Sequence, residues 1–151
     1  MLIKNVDIIT SDSANDILYG ASLLIKDNII EKIINAGEAV PEDENVIDGK
    51  GLIAMPGLIN THTHSAMTFL RSYADDLPLQ DWLFKQVFPM EAKLTGDDIY
   101  TFSKIAFAEY LTSGITADFD MYFEPEYMAK ASEETGFRTI MCGSVAGSDD
   151  E

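Results

Sequence analysis

Cysteine is almost absent from this chain: a single one, Cys142, stands among 151 residues. One thiol cannot close an internal disulfide, which excludes a disulfide-stapled scaffold and points to a reducing compartment, with Cys142 read as a small buried hydrophobe. Positive charge is scarce as well. Ten Lys and Arg against 26 Asp and Glu leave a formal net charge of −16. That is the reverse of what phosphate binding needs, so nucleic acid and anionic membrane are excluded as partners. Long apolar runs are missing: no stretch approaches the ~18 residues of a spanning helix, and Met1 to Asp7 lacks the basic flank and apolar core of a secretory signal. The expected location is the cytoplasm. Internal repeats and low-complexity segments are lacking too. The acids come as short pairs, Asp75-Asp76, Asp97-Asp98, Glu133-Glu134 and Asp149-Asp150, set between apolar segments, which describes a solvated surface. What is present in quantity is apolar material, 46% of the residues, enough to build a core.

Two grammars follow one another. From Leu2 to about Ile53 the apolar residues arrive in short Ile, Leu and Val bursts separated by turn formers, a β pattern. Ser22 to Lys26 and Ile29 to Ile34 flank Asp27-Asn28, residues that tolerate the positive φ of a two-residue hairpin. A polar loop over Glu38 to Asn45 leads to a strand expected at Val46 to Ile53. After Met55-Pro56-Gly57 strands alternate with helical segments, the pattern of a parallel sheet carrying helices. Leu58 to His64 reads as a strand, and Pro78 and Pro89 interrupt any single long helix between. Thr95 and Asp98 fit a capping box opening a helix to Ser113, with Ile99, Phe102, Ala106 and Tyr110 on one face and Gly114 as its left-handed end. A strand at Ile115 to Met121, a helix at Pro125 to Thr135 closed by Gly136, and a strand at Phe137 to Val145 complete the reading. The expected division is 1–54 and 55–151. A closed eightfold barrel takes ~250 residues, so the second part has room for only the opening third of one.

The two histidines of the chain are His62 and His64. Strand side chains alternate, so both imidazoles project from one face near the strand's end, close enough to share an ion. Neutral imidazole suits zinc and other borderline metals. A His-x-His pair alone also fits exposed or hydrogen-bonded histidines; its place at the C-terminal end of a parallel strand is where barrel enzymes build their sites.

Met55-Pro56-Gly57-Leu58-Ile59-Asn60-Thr61-His62-Thr63-His64 resembles the first-strand signature of the metal-dependent amidohydrolase superfamily. The blocks Met67 to Arg71, Ala74 to Leu79, Asp81-Trp82-Leu83, Pro89 to Leu94 and Ala117 to Phe123 are similar to its 5-methylthioadenosine/S-adenosylhomocysteine deaminase branch. The resemblance implies an α/β fold, the opening βα units of a (β/α)8 barrel preceded by part of a small β-sandwich. It implies that His62 and His64 are the first two ligands of a divalent metal, zinc foremost with Fe, Mn or Ni as alternatives. Two later histidines and an aspartate would complete the set, and the activated water would displace ammonia from a purine. By position, Glu91 matches the family glutamate that accepts hydrogen bonds from ribose hydroxyls. The substrate implied is a small-molecule purine nucleoside. Trp82 is read as a pocket wall or a packed core residue. Asp118 and Asp120 are read as pocket-touching, ligand-orienting or structural groups, and Met67, Phe69, Phe84, Val87 and Phe88 as core.

The pattern is incomplete. No third histidine exists, and two imidazoles fall short of the three protein ligands usual at a catalytic zinc. The 151 residues are therefore expected to be inactive alone and to contain no catalytic acid or base of their own. They would be the N-terminal segment of a longer aminohydrolase or would need a complementing C-terminal fragment, and a homo-oligomer is the other assembly expected. The alternatives are another amidohydrolase, of guanine or cytosine deaminase or chlorohydrolase type, and a non-catalytic assembly module. An unfinished sheet exposes an edge and an apolar face, so the isolated chain is expected to associate.

Overall fold

The computed structural model describes residues 1–14 and 16–143. The chain falls into two compact units, one of Met1–Pro56 and one that begins at Gly57.

The first unit is a five-stranded sheet of β1 (Leu2–Ile9), β2 (Ile17–Lys26), β3 (Ile29–Ile34), β4 (Val46–Asp48) and β5 (Ile53–Ala54). The order is β3-β2-β1-β4, and β5 also pairs with β1. β1 to β2 and β2 to β3 are antiparallel, while β4 and β5 run parallel to β1. The hairpin lies where the turn chemistry put it: Lys26 pairs with Ile29, and Asp27 takes φ +56°. Val6, Ile8, Ala21 and Leu23 form the core of this unit, and Ser22, between the last two, is buried with them. The single strand expected over Val46 to Ile53 is two short ones. Gly49 separates them, and a Cβ there would lie 2.8 Å from Cβ of Val6, so the chain passes β1 as glycine and turns.

The second unit holds three parallel strands in the order β6-β7-β8: β6 (Leu58–Thr63), β7 (Ile115–Met121) and β8 (Arg138–Cys142). β6 ends one residue before His64, which opens a 310 turn over Ser65–Leu70. The start of β6 demands glycine, since a Cβ on Gly57 would fall 2.2 Å from the methyl of Thr116. Residues 79–91 are one continuous helical run: α1 (Leu79–Trp82), a π turn at Leu83–Val87 and α2 (Phe88–Glu91). Pro78 precedes the run, and Pro89, which has no backbone N–H to donate, follows the π turn as the second residue of α2.

The helix α3 (Gly96–Thr112) starts with both arms of the capping box, Thr95 accepting from the Asp98 amide and Asp98 accepting from the Thr95 amide at 2.9 Å. The Thr95 hydroxyl, and then the Thr95 amide, hold the Asp98 carboxyl below its usual range by donating to it. Gly114 (φ +81°) lets the chain leave α3 for β7. α4 (Pro125–Thr135) ends on Gly136 at φ +70°. The core gathers Ile99, Phe107, Tyr122, Met128, Ala131 and Phe137, with the Phe107 and Phe137 rings stacked at 4.7 Å. The open face of the sheet is apolar: Phe119 and its register partner Ile140 are 44% and 58% exposed. The expected strand to Val145 ends at Cys142; Ser144, Val145 and the Asp149-Asp150 pair lie outside the described residues. Cys142 is half-buried with its thiol on the Asp120 carbonyl at 3.3 Å. No helix among the described residues is long and apolar enough to cross a membrane.

Candidate active site

β6 delivers His62 and the residue after its end delivers His64, and the two rings meet edge-on with centroids 5.3 Å apart. Nδ1 of His64 lies 2.6 Å from the carbonyl of Met121, at the end of β7. A carbonyl only accepts, so Nδ1 carries the proton and the Nε2 lone pair is left for an electrophile. This is the arrangement by which proteins fix the tautomer of a metal-binding imidazole. The pair therefore suits two positions of a nitrogen-ligated divalent ion. Among the described residues no third His, Cys, Asp or Glu joins them.

The residue after His64 is anchored from below. The backbone N–H of Ser65 donates to both carboxylate oxygens of Asp120, at 3.1 and 3.3 Å, and the Ser65 hydroxyl donates to Asp118 at 3.2 Å. Tyr110 of α3 hydrogen-bonds both the Thr63 and Ser65 hydroxyls. Ser65, Asp118 and Asp120 are all buried. Burial pushes the Asp118 carboxyl up, opposed by the Thr139 and Ser65 hydroxyls beside it. Asp120 is likewise raised by burial and by the charge of Asp118, and eased by Ser65 and His64. Of the roles open to these two aspartates, the geometry gives them the support of the His64 turn; neither lines the neighbouring cavity.

That cavity, of about 240 Å³, is walled by Met67, Trp82, Val87, Phe88 and Phe123, with His64 at one side and Glu91 at another. Glu91 thus shares a pocket with a candidate ligand, and Trp82 is a wall of it. Met67, Val87 and Phe88, read from the sequence as core, are walls too. Phe84 is exposed and packs edge-on against Phe88, and Phe69 stacks on Phe102 at 5.3 Å. Four lining residues were missed by sequence reasoning: Leu83, Met121, Tyr122 and Phe123. For the last three the signal available was their position at or just past the C-terminal end of a parallel strand, where such sites form. Tyr122 donates its hydroxyl to Oε1 of Glu91 at 2.8 Å. Burial and the adjacent Glu91 charge push the Tyr122 phenol far above its ordinary range.

Comparison with known proteins places this geometry. Residues 53–151 match the family model described as "Amidohydrolase family". A 5-methylthioadenosine/S-adenosylhomocysteine deaminase of Acetivibrio thermocellus is 48% identical over 95% of this chain and 34% of its own length. A 5′-deoxyadenosine deaminase of Methanosarcina barkeri is 44% identical over 94% of this chain and 32% of its own. The crystal structure of an adenosine deaminase from Xanthomonas campestris, with bound zinc, superposes with a TM-score of 0.84 at 28% identity, covering 92% of this chain and 32% of that one. The chain spans about a third of the length of the relatives it matches. On the match of the family model over residues 53–151, which carry both histidines, the cavity and the parallel sheet, the chain belongs to the amidohydrolase family.

Proposed function

We propose that this chain is the N-terminal segment of a cytoplasmic, metal-dependent aminohydrolase that removes ammonia from adenosine thioethers, 5-methylthioadenosine or S-adenosylhomocysteine. In this reading the parallel sheet is the opening of a (β/α)8 barrel and the sheet of Met1–Pro56 is part of a small β-sandwich. The observation that carries the proposal is the meeting of His62 and His64, with the His64 tautomer fixed by Met121, beside a cavity that presents one carboxylate.

His62 and His64 would hold a divalent ion, zinc foremost, with its remaining ligands supplied by later parts of the enzyme. Bound there, such an ion supplies Lewis-acid activation of water at neutral pH. Glu91 accepts hydrogen bonds from the ribose hydroxyls, fixing the distance from sugar to reacting base. Trp82, Phe88 and Phe123 exclude water and offer flat apolar faces to the nucleoside. The sequence identity to deaminases of adenosine derivatives supports this substrate class. Steady-state ammonia release by the full natural chain, loaded with zinc, tests it. Turnover is expected on 5-methylthioadenosine or S-adenosylhomocysteine and lost with His62→Ala or His64→Ala. Turnover of guanine, cytosine or a chlorinated triazine, with none on the thioethers, would refute the substrate assignment.

A further inference from the structure

Tyr122 follows β7 directly, on the face it shares with Asp120, and its ring is part of the buried core beside Ile99 and Phe107. Its hydroxyl nonetheless emerges at the cavity and donates to one oxygen of Glu91. The bond joins the residue after β7 to α2 across 31 positions of sequence. The preceding residue, Met121, holds the His64 imidazole through its carbonyl. Two consecutive residues therefore set the position of both polar groups that His64 and Glu91 bring to the cavity. A glutamate has three rotatable side-chain bonds, and an apolar pocket offers few other donors to hold its carboxylate still. A phenol bound to Oε1 fixes the plane of the carboxylate and leaves Oε2 for a ligand.

We infer that Tyr122 is a positioning residue for nucleoside binding: its hydroxyl clamps Oε1 of Glu91 so that Oε2 is presented to the vicinal hydroxyls of a ribose. This rests on the reading of Glu91 as the ribose-binding group. The test uses the full natural chain loaded with zinc, with 5-methylthioadenosine and its 2′,3′-dideoxy counterpart as substrates. Tyr122→Phe keeps the buried ring and removes only the hydroxyl. For 5-methylthioadenosine its KM is expected to rise about tenfold while kcat falls less than about twofold, the scale of losing one hydrogen bond to a charged acceptor. For the dideoxy substrate, wild type and Tyr122→Phe should have the same KM. In a Glu91→Gln background, adding Tyr122→Phe should change KM by less than about twofold, because the clamp has lost its charged acceptor. A structural role alone would shift both substrates equally and add to Glu91→Gln, and either result overturns the inference. So does an unchanged KM in Tyr122→Phe where Glu91→Gln alone raises it. If Glu91→Gln itself leaves KM for the ribose substrate unchanged, the ribose-binding reading of Glu91 fails and takes the clamp with it.

Discussion

Replacing Asp120 by alanine strikes the support under His64. The backbone N–H of Ser65 is buried and has both Asp120 oxygens as acceptors, at 3.1 and 3.3 Å. Alanine leaves that donor without an acceptor and out of reach of water, at a cost of about 1–3 kcal/mol. Against this stands some relief, because burial disfavours the charged carboxylate that is removed. We take about 2 kcal/mol as the net loss, within the range for an orphaned buried donor. With a urea slope of about 2 kcal/mol per M for a unit of this size, the unfolding midpoint falls by about 1 M. Trp82, the single tryptophan, lies in the unit that begins at Gly57, so its fluorescence reports that transition. Asp120→Asn keeps one acceptor oxygen for the Ser65 amide and should lose less than half as much. Because Ser65 is the neighbour of His64, loosening it should also weaken metal binding by the full natural chain about 10–100-fold, the usual cost of disturbing a group that orients a ligand. An Asp120→Ala protein with an unchanged urea midpoint and unchanged zinc affinity would show that the Ser65 amide does not depend on this carboxylate and would refute the reasoning.

Asp118 gives a pH-dependent counterpart. Burial raises its folded carboxyl above the ordinary value of 3.8. The folded state therefore binds this proton more tightly, and the stability it contributes is complete below that ordinary value and lost as pH rises through the raised one. Asp118→Asn removes the titration, so its urea midpoint should exceed that of wild type near pH 7 and the gap should close towards about pH 3; parallel curves would count against this. Thr95→Ala removes the hydroxyl that caps α3 and should cost about 1 kcal/mol in unfolding experiments, with an unchanged midpoint refuting the cap's role. The exposed Phe119 and Ile140 should drive self-association of the 151-residue chain, and Phe119→Lys should reduce the scattered light; a sharp monomer peak for the unsubstituted chain would contradict this.

Features set by neighbours in sequence were legible. Asp27-Asn28 specifies a hairpin because the positive φ is a property of the turn residues themselves, and Thr95 with Asp98 specifies a helix start because both hydrogen bonds close within four residues. Strand period brings His62 to the end of β6, but His64 lies just past the strand and its ring is held by the Met121 carbonyl. Features set by distant partners were not. The split of the expected strand at Val46 to Ile53 arises from the packing of Gly49 against Val6. The apolar residues Met67, Val87 and Phe88 look alike in sequence whether they fill a core or wall a cavity. Nothing near Tyr122 in the sequence shows its partnership with Glu91, which stands 31 positions away. The aspartates of β7 are ambiguous for the same reason, since their partner, Ser65, stands more than fifty positions away.

The π turn at Leu83–Val87 sets the azimuth of Glu91. Each residue of an α-helix advances the chain by about 100° around its axis, so the wide turn works as a phase shifter between Trp82 and Glu91. Rewinding the same residues as regular α-helix would swing the carboxylate by roughly that angle, away from Tyr122 and out of the cavity. Nature or a designer wishing to retune this pocket has a coarse dial in the winding of that turn, independent of which side chains line the wall.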